Sequence, residues 1–279
     1  MTGIGPAVEN PRDARHAAPR PAGNLFRNLR IFFLLLVLLA AALNAWEERY
    51  QSTRWIDPLF VAIYPIAADR SPVTARYVAS LDAAQFQPID RFFARQARRY
   101  HVAERTPVET RLRPALQALP PRRRADAGIL TTIVWSLRLR FWAWRVSGHS
   151  GEPEDVRIFV LYRDPALTPA VPHSLGLQKG LIGVVYAFAT PMMDGANDVI
   201  IAHELMHTLG ATDKYDPADD RPRFPDGYGD PNQVPLFPQK KAELMAGRRM
   251  LAADRWVQPV NLDEVVIGPA SAAEIRWLR

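Results

Sequence analysis

Asn197–Gly210 reads NDVIIAHELMHTLG, and the chain continues as ATDKYD through Asp216. No other stretch limits the fold as tightly. Residues four apart share one face of an α-helix, so His203 and His207 meet one ion only if this stretch is helical. Asn197 or Asp198 suits the N-cap. Gly210 suits the terminator, because glycine takes the left-handed conformation that ends a helix and turns the chain back. Neutral imidazole suits zinc. Glu204 lies one residue round from His203. That offset keeps it from being a ligand beside the histidines and lets it meet a water at the metal, whose pKa zinc lowers to about 7. Glu204 then serves as general base, taking a proton as the water attacks a carbonyl and passing it to the leaving amine. Catalytic zinc needs a third protein ligand and an open position. Asp213, on the segment that returns after Gly210, offers a hard oxygen.

His203–Asp213 resembles the extended zinc signature of the metzincin metallopeptidases, HExxHxxGxx(H/D). Its aspartate form resembles the snapalysin family of small bacterial secreted peptidases, and also the immune-inhibitor type. Those families carry a tyrosine two residues after the aspartate, where Tyr215 stands here. AELMAG (Ala242–Gly247) is similar to the snapalysin version of the methionine turn, with Met245 at its methionine. The resemblance implies His203, His207 and Asp213 as ligands of one zinc ion, Glu204 as general base, Met245 as a packing residue below the site, and Tyr215 beside the ligands. It also implies a zincin-like α+β domain: a mixed sheet, the active-site helix and a C-terminal helix. The strands Asp155–Tyr162 and Leu181–Ala189 fit that sheet, with Leu181–Ala189 as the edge that binds extended substrate. The chain departs from the pattern in being longer, with a segment that includes Asp216–Asn232 between Asp213 and the turn. Glu243 is the rival third ligand. Thermolysin-like enzymes use a glutamate on a later helix, but they lack the glycine and nearby acidic residue found here.

Outside the motif, apolar runs set the organisation. Ile31–Leu43 is uncharged and apolar, followed by Asn44, Ala45 and Trp46. At about 1.5 Å per residue this run spans roughly 24 Å, and residues 24–46 are read as one transmembrane signal anchor. Arg27 and Arg30 would snorkel to headgroups, and Trp46 would sit at the interface. A signal peptide cleaved after Ala42 and a buried soluble helix are the competing readings. Residues 1–23, rich in Pro, Ala and Arg, read as a disordered cytoplasmic tail. Arginines before the run and EERY after it put the rest outside, so the chain is expected to be single-pass in the cytoplasmic membrane with its catalytic domain periplasmic or extracellular. Residues 47–57 form a linker, and 58–279 the metallopeptidase-like domain. The chain has no cysteine, which excludes disulfides, thiolate metal sites and a cysteine nucleophile.

Within that domain, Leu59–Ala67 reads as a strand ended by Asp69 and Pro72. Asp82–Val102 reads as a helix with Ile89, Phe92, Phe93 and Ala97 on one face, and Val108–Arg113 as a strand. Pro120–Gly128 is a loop. In Ile129–Val146, recurrence of Ile129, Ile133, Leu137 and Phe141 every four residues favours a helix, while alternation of Leu137, Leu139 and Phe141 with arginine favours a strand. The helix is the reading taken. Ser271 and Glu274 fit a capping box that opens the C-terminal helix.

Other features weigh less. Asp216, Asp219, Asp220, Asp226 and Asp230 are oxygens of the kind that bind Ca2+, but they match no fixed-spacing loop, and a solvated acidic loop is favoured. Met245 also reads as an ordinary core methionine. His173 stands in a loop where it could touch substrate, though an incidental loop histidine is favoured. Arg122–Arg124 suit anionic headgroups or nucleic acid, though a solvated loop is favoured. The aromatics and arginines of Leu137–Arg145 resemble a stacking surface for single strands, but a buried amphipathic element is favoured, so no nucleic-acid partner is expected. The function expected is a zinc-dependent metallopeptidase acting on protein or peptide substrates. Its rivals are an inactive metal-binding scaffold, a zinc hydrolase of a non-peptide bond, and a membrane-tethered structural protein with a fortuitous motif. Intact Glu204 argues against the scaffold.

Overall fold

A computed structural model describes residues 3, 26–36, 39, 53–122, 128–148, 154–168, 174–177 and 181–278. The chain divides into two units, Met1–Asn44 and Ala45–Arg279. In the first, residues 26–36 are helical and every one is exposed. Among the described residues no helix is long and apolar enough to cross a membrane. Much of the expected anchor over 24–46, nearly all of the tail over 1–23, most of the linker, Arg123, Arg124 and His173 lie outside the described residues.

The second unit is α+β, built on a five-stranded sheet. Its strands are β1 (Leu59–Ala67), β2 (Val108–Leu112), β3 (Val156–Arg163), β4 (Leu175–Leu177) and β5 (Ile182–Phe188). Their order is β2-β1-β3-β5-β4. The first four run parallel, and β4 is antiparallel to β5. β1 and β3 are apolar nearly throughout because both faces of a parallel sheet are covered. On one face Val61, Ile63, Ile158, Val160 and Val185 join the larger core. That core takes in α1 (Pro72–Ser80), α2 (Gln87–Arg99) and α4 (Asp194–Leu209). On the other, Ala62, Tyr64, Phe159, Leu161 and Val184 meet Trp135, Leu139 and Ala143 of α3 (Ile129–Val146). Burying a side chain such as Phe159 or Ile63, neither of which is exposed at all, contributes roughly 1.5–3 kcal/mol.

Several expectations change here. Leu181–Ala189 is not the edge: Leu175, Gly176 and Leu177 pair with Val184, Gly183 and Ile182 and take that place. Three residues holding a glycine give no strand signal of their own. β1 stops at Ala67, before Asp69 and Pro72 as expected, and Pro72 also opens α1 with Ser71 as its N-cap. The Ser71 hydroxyl accepts from Val73 N–H, and Pro72 fills a first-turn position where no N–H is needed. The helix expected from Asp82 begins with a 3₁₀ turn, Ala83–Phe86, capped by Asp82 and Gln85, and becomes α-helical at Gln87. α3 is a helix, but the face that packs is Trp135, Leu139 and Ala143. Ile133, Leu137 and Phe141, the stripe that suggested a core face, are exposed.

Beyond α4 lie short pairs: β6 (Tyr215–Asp216) with β7 (Arg221–Pro222), β8 (Ala242–Glu243) with β11 (Val265–Val266), and β9 (Arg249–Ala252) with β10 (Arg255–Val257). The C-terminal helix is α5 (Pro269–Glu274). Gly268, not Ser271, is its N-cap, so the expected capping box does not form. Ser271 is buried and donates to Glu243, and Glu274 reaches Thr212 and Lys214.

Candidate metal centre

α4 starts three residues earlier than its polar residues suggested. Asn197 does not cap it, because its side-chain amide accepts from Phe188 N–H at 3.1 Å and donates to Phe188 C=O at 3.0 Å, tying the helix to the end of β5. The other end follows the glycine. Gly210 has φ 105°, its N–H donates to His207 C=O at 3.1 Å, and Ala211 N–H donates to Met206 C=O at 3.0 Å. This is the Schellman arrangement, which closes a helix and sends the chain back across its last turn.

The returning chain does two things. It brings Ala211 C=O within 2.9 Å of His207 Nδ1. It also carries Asp213 to the histidines, where one oxygen, Oδ1, lies 3.3 Å from His203 Nε2 and 3.2 Å from His207 Nε2. His203 Nδ1 lies 2.9 Å from Leu244 C=O. A backbone carbonyl can only accept, so each imidazole carries its proton on Nδ1 in the neutral state and turns a bare Nε2 toward Asp213. His203, Glu204 and His207 each bring a ligand-capable atom within 4.8 Å of one another, a group able to hold a metal ion. Asp213 is not part of that trio, yet its pairwise distances decide more about coordination, because they show one oxygen converging on both Nε2 atoms. Two ligands about 2.0–2.1 Å from a zinc ion at tetrahedral angles sit about 3.3–3.4 Å apart. The donor set and these two N–O spacings fit a tetrahedral metal ion such as zinc.

Burial pushes the Asp213 carboxyl up, but His203 and His207 outweigh it and hold it well below the ordinary range. Burial pushes His203 down, and Asp213, Glu204 and the Leu244 carbonyl together leave it above its ordinary value. Burial, then the negative charges of Asp213, Asp220 and Glu204, raise the Tyr215 phenol, which stays protonated at neutral pH.

The group opens into a cavity of about 320 Å³, lined among others by Phe188, Val199, Ile200, Tyr215, Asp220 and Arg248. Glu204 is almost wholly buried and lines it too. Met245 is fully buried in the core behind the cavity wall formed by Leu244, Ala246 and Gly247. That wall is a tight turn: Ala246 and Gly247 N–H both donate to Glu243 C=O, and Gly247 has φ 63°. Met245 C=O accepts from Lys214 N–H at 3.0 Å and so ties the turn to the Asp213 segment. Glu243 is not brought to the histidines. It is fully buried, and its carboxylate accepts from Gly268 N–H, the Ser271 hydroxyl and Ala246 N–H. Burial raises its pKa against those bonds.

The sequence reading missed three supports. The carbonyls of Leu244 and Ala211 have no side-chain signature. Glu274 does: it accepts from Thr212 N–H at 2.9 Å and pairs with Lys214 Nζ at 2.8 Å, fixing the two residues that flank Asp213. Carboxylates of the acidic loop have local partners. Asp216, Asp219 and Asp230 accept from backbone N–H groups two residues on, and Asp220 lies 3.4 Å from Arg248. Among the described residues these carboxylates form no metal-holding group.

No family model and no curated relative matches the chain. Among solved structures, wild-type OgpA from Akkermansia muciniphila is similar over 77% of this chain and 59% of its own length, at 12% identity and a TM-score of 0.34.

Proposed function

We propose that this chain is a zinc-dependent metallopeptidase of metzincin-like type. The observation that carries the reading is the convergence of His203 Nε2, His207 Nε2 and Asp213 Oδ1, with each Nδ1 committed to a backbone carbonyl. His203, His207 and Asp213 would hold the ion, and Glu204 would not. A bound zinc ion supplies a strong Lewis acid that lowers the pKa of water at neutral pH. Glu204, almost fully buried at the cavity wall, takes the proton from the attacking water and returns it to the leaving amine. Tyr215, kept protonated and lining the same cavity, would donate a hydrogen bond to the carbonyl oxygen as charge builds on it. β4 is the last strand of the sheet, and Ser174 beside it lines the cavity, so an extended peptide can add to that edge. Met245 packs behind the wall and touches no substrate.

The deciding experiment is metal content with cleavage of a peptide library by the wild type beside Glu204→Ala. The variant keeps about one zinc per chain and loses turnover by at least the ~10²-fold that general-base catalysis supplies. Near wild-type cleavage by the variant, or wild type without zinc, overturns the mechanism. A zinc-loaded wild type that leaves the whole library intact points instead to a non-peptide substrate. The chain is further proposed to be anchored by residues 24–46 with the second unit outside. A reporter fused after Arg279 is then active only in the exported compartment, and cytoplasmic activity reverses that topology.

A further inference from the structure

α3 covers the sheet face opposite α4. Its inner side, Trp135, Leu139 and Ala143, packs on the sheet. Its outer side presents Leu130, Ile133, Val134, Leu137, Phe141 and Trp144, each more than half exposed. At about 100° per residue these six fall within an arc of roughly 100° and form one continuous stripe along the helix. Exposed apolar patches of that extent on a soluble domain mark an interaction site. Phe141 and Trp144 lie against each other at 5.9 Å. Arg138 and Arg145 stand exposed on one flank of the stripe and Arg140, partly exposed, on the other, and α3 contains no acidic residue. Arg122–Arg124 precede it.

We propose that this face docks onto an anionic lipid surface, with α3 lying in the plane of the membrane. The apolar stripe enters the acyl boundary, Trp144 sits at headgroup level and the arginines meet lipid phosphates, the pattern of an interfacial amphipathic helix. Charge decides against the other occupants. A second copy would bring Arg138 and Arg145 against their own kind. The apolar run Ile31–Leu43 would cover the stripe but carries Arg27 and Arg30 at its start and offers the arginines no anion. Single-stranded nucleic acid would match the arginines, but four of the six stripe residues are aliphatic and cannot stack. Docking leaves the metal centre open, because α3 and α4 cover opposite faces of the sheet.

The chain has no cysteine, so Leu137→Cys gives one attachment point for a nitroxide, and Asp254→Cys, on the exposed β9–β10 turn, gives a reference. Full-length protein is reconstituted into vesicles of phosphatidylglycerol and phosphatidylcholine, or of phosphatidylcholine alone, so that any anchor at residues 24–46 is inserted equally in both, and the accessibility of each label to oxygen and to a water-soluble nickel chelate is measured. The ratio of oxygen to nickel accessibility rises several-fold at position 137 and stays flat at 254, and the rise is much smaller on pure phosphatidylcholine. An aqueous label at 137 on anionic vesicles overturns the proposal, as does an equal rise on neutral vesicles. A label shielded without lipid also overturns it, assigning the face to a second copy if dilution exposes it and to the N-terminal run if not. A response to single-stranded oligothymidylate in place of vesicles does the same. Cleavage of a soluble peptide is unchanged in Leu137→Cys, so this result is separable from the peptidase reading.

Discussion

Glu243→Ala and Asp213→Ala separate the two acidic residues that the sequence puts within reach of the histidines, and they do so on different axes. Glu243 is fully buried and accepts from Gly268 N–H at 3.0 Å, the Ser271 hydroxyl at 2.8 Å and Ala246 N–H at 2.9 Å. Alanine leaves two buried donors, Gly268 N–H and the Ser271 hydroxyl, without an acceptor, at about 1–3 kcal/mol each, while Ala246 N–H keeps the Glu243 backbone carbonyl. The two are neighbours and relax together, so their costs do not simply add, and a loss of about 2–5 kcal/mol is expected. That is a large share of the ~5–15 kcal/mol that holds a domain folded. At roughly 2–4 °C per kcal/mol for a chain of this size, the melting point falls by about 4–20 °C. Asp213 is partly open to solvent, and at alkaline pH, with the imidazoles neutral, removing it orphans no buried donor, so metal-free protein there melts within the ~0.5 kcal/mol typical of surface changes. Its effect falls on the ion. Losing one of three ligands costs more than the ~10–100-fold that a supporting partner costs. Thermal melts in chelator, together with zinc titration against a competing chromophoric chelator, read both axes. The opposite pair would refute the reasoning: Glu243→Ala melting like wild type but losing zinc, with Asp213→Ala keeping wild-type affinity.

Three further outcomes follow from the same geometry. Glu274→Ala releases Thr212 and Lys214 from the two sides of Asp213 and lowers zinc affinity about 10–100-fold, measured by the same competition titration, with no change in the metal ligands themselves. Gly210→Ala puts a Cβ where φ is 105°, costs about 1–3 kcal/mol in a chelator melt, and weakens zinc binding because the turn that returns Asp213 is strained. Burial first, then the charge of Asp194, raises the Asp198 carboxyl to about 8. Its folded pKa therefore exceeds the unfolded value of about 3.9, so the stability it contributes is complete below pH ~4 and is lost as pH rises toward 8. Asp198→Asn removes that loss and stabilises the metal-free protein more at pH 9 than at pH 5 in chelator melts. An equal gain at both pH values shows that Asp198 does not titrate in that window.

What the sequence reveals depends on how far apart the cooperating residues lie. β1, β3 and β5 are legible because a strand covered on both faces has to be apolar nearly throughout, and that leaves a mark in a few consecutive residues. The end of α4 is legible for the same reason: Gly210, at φ 105°, is a local requirement, and Asp213 follows it closely enough for the turn itself to aim the carboxylate. The start of α4 is not legible, because Asn197 has the side chain of a cap but spends it on Phe188, a partner set by the packing of helix on strand. Ser271 and Glu274 mislead in the same way, since one serves Glu243 and the other Lys214. α3 shows the limit of periodicity: spacing identifies a helix, but it does not say which of two apolar faces meets the sheet. Trp135, Leu139 and Ala143 take that place because they complement Tyr64 and Phe159, residues far away in the chain. The metal centre combines both cases. Its side chains come from one helix and the turn after it, while the carbonyl that orients His203 comes from Leu244, 41 residues on. A variant that moves the Glu243–Gly247 turn should therefore disturb the imidazole of His203 without touching any residue of the motif.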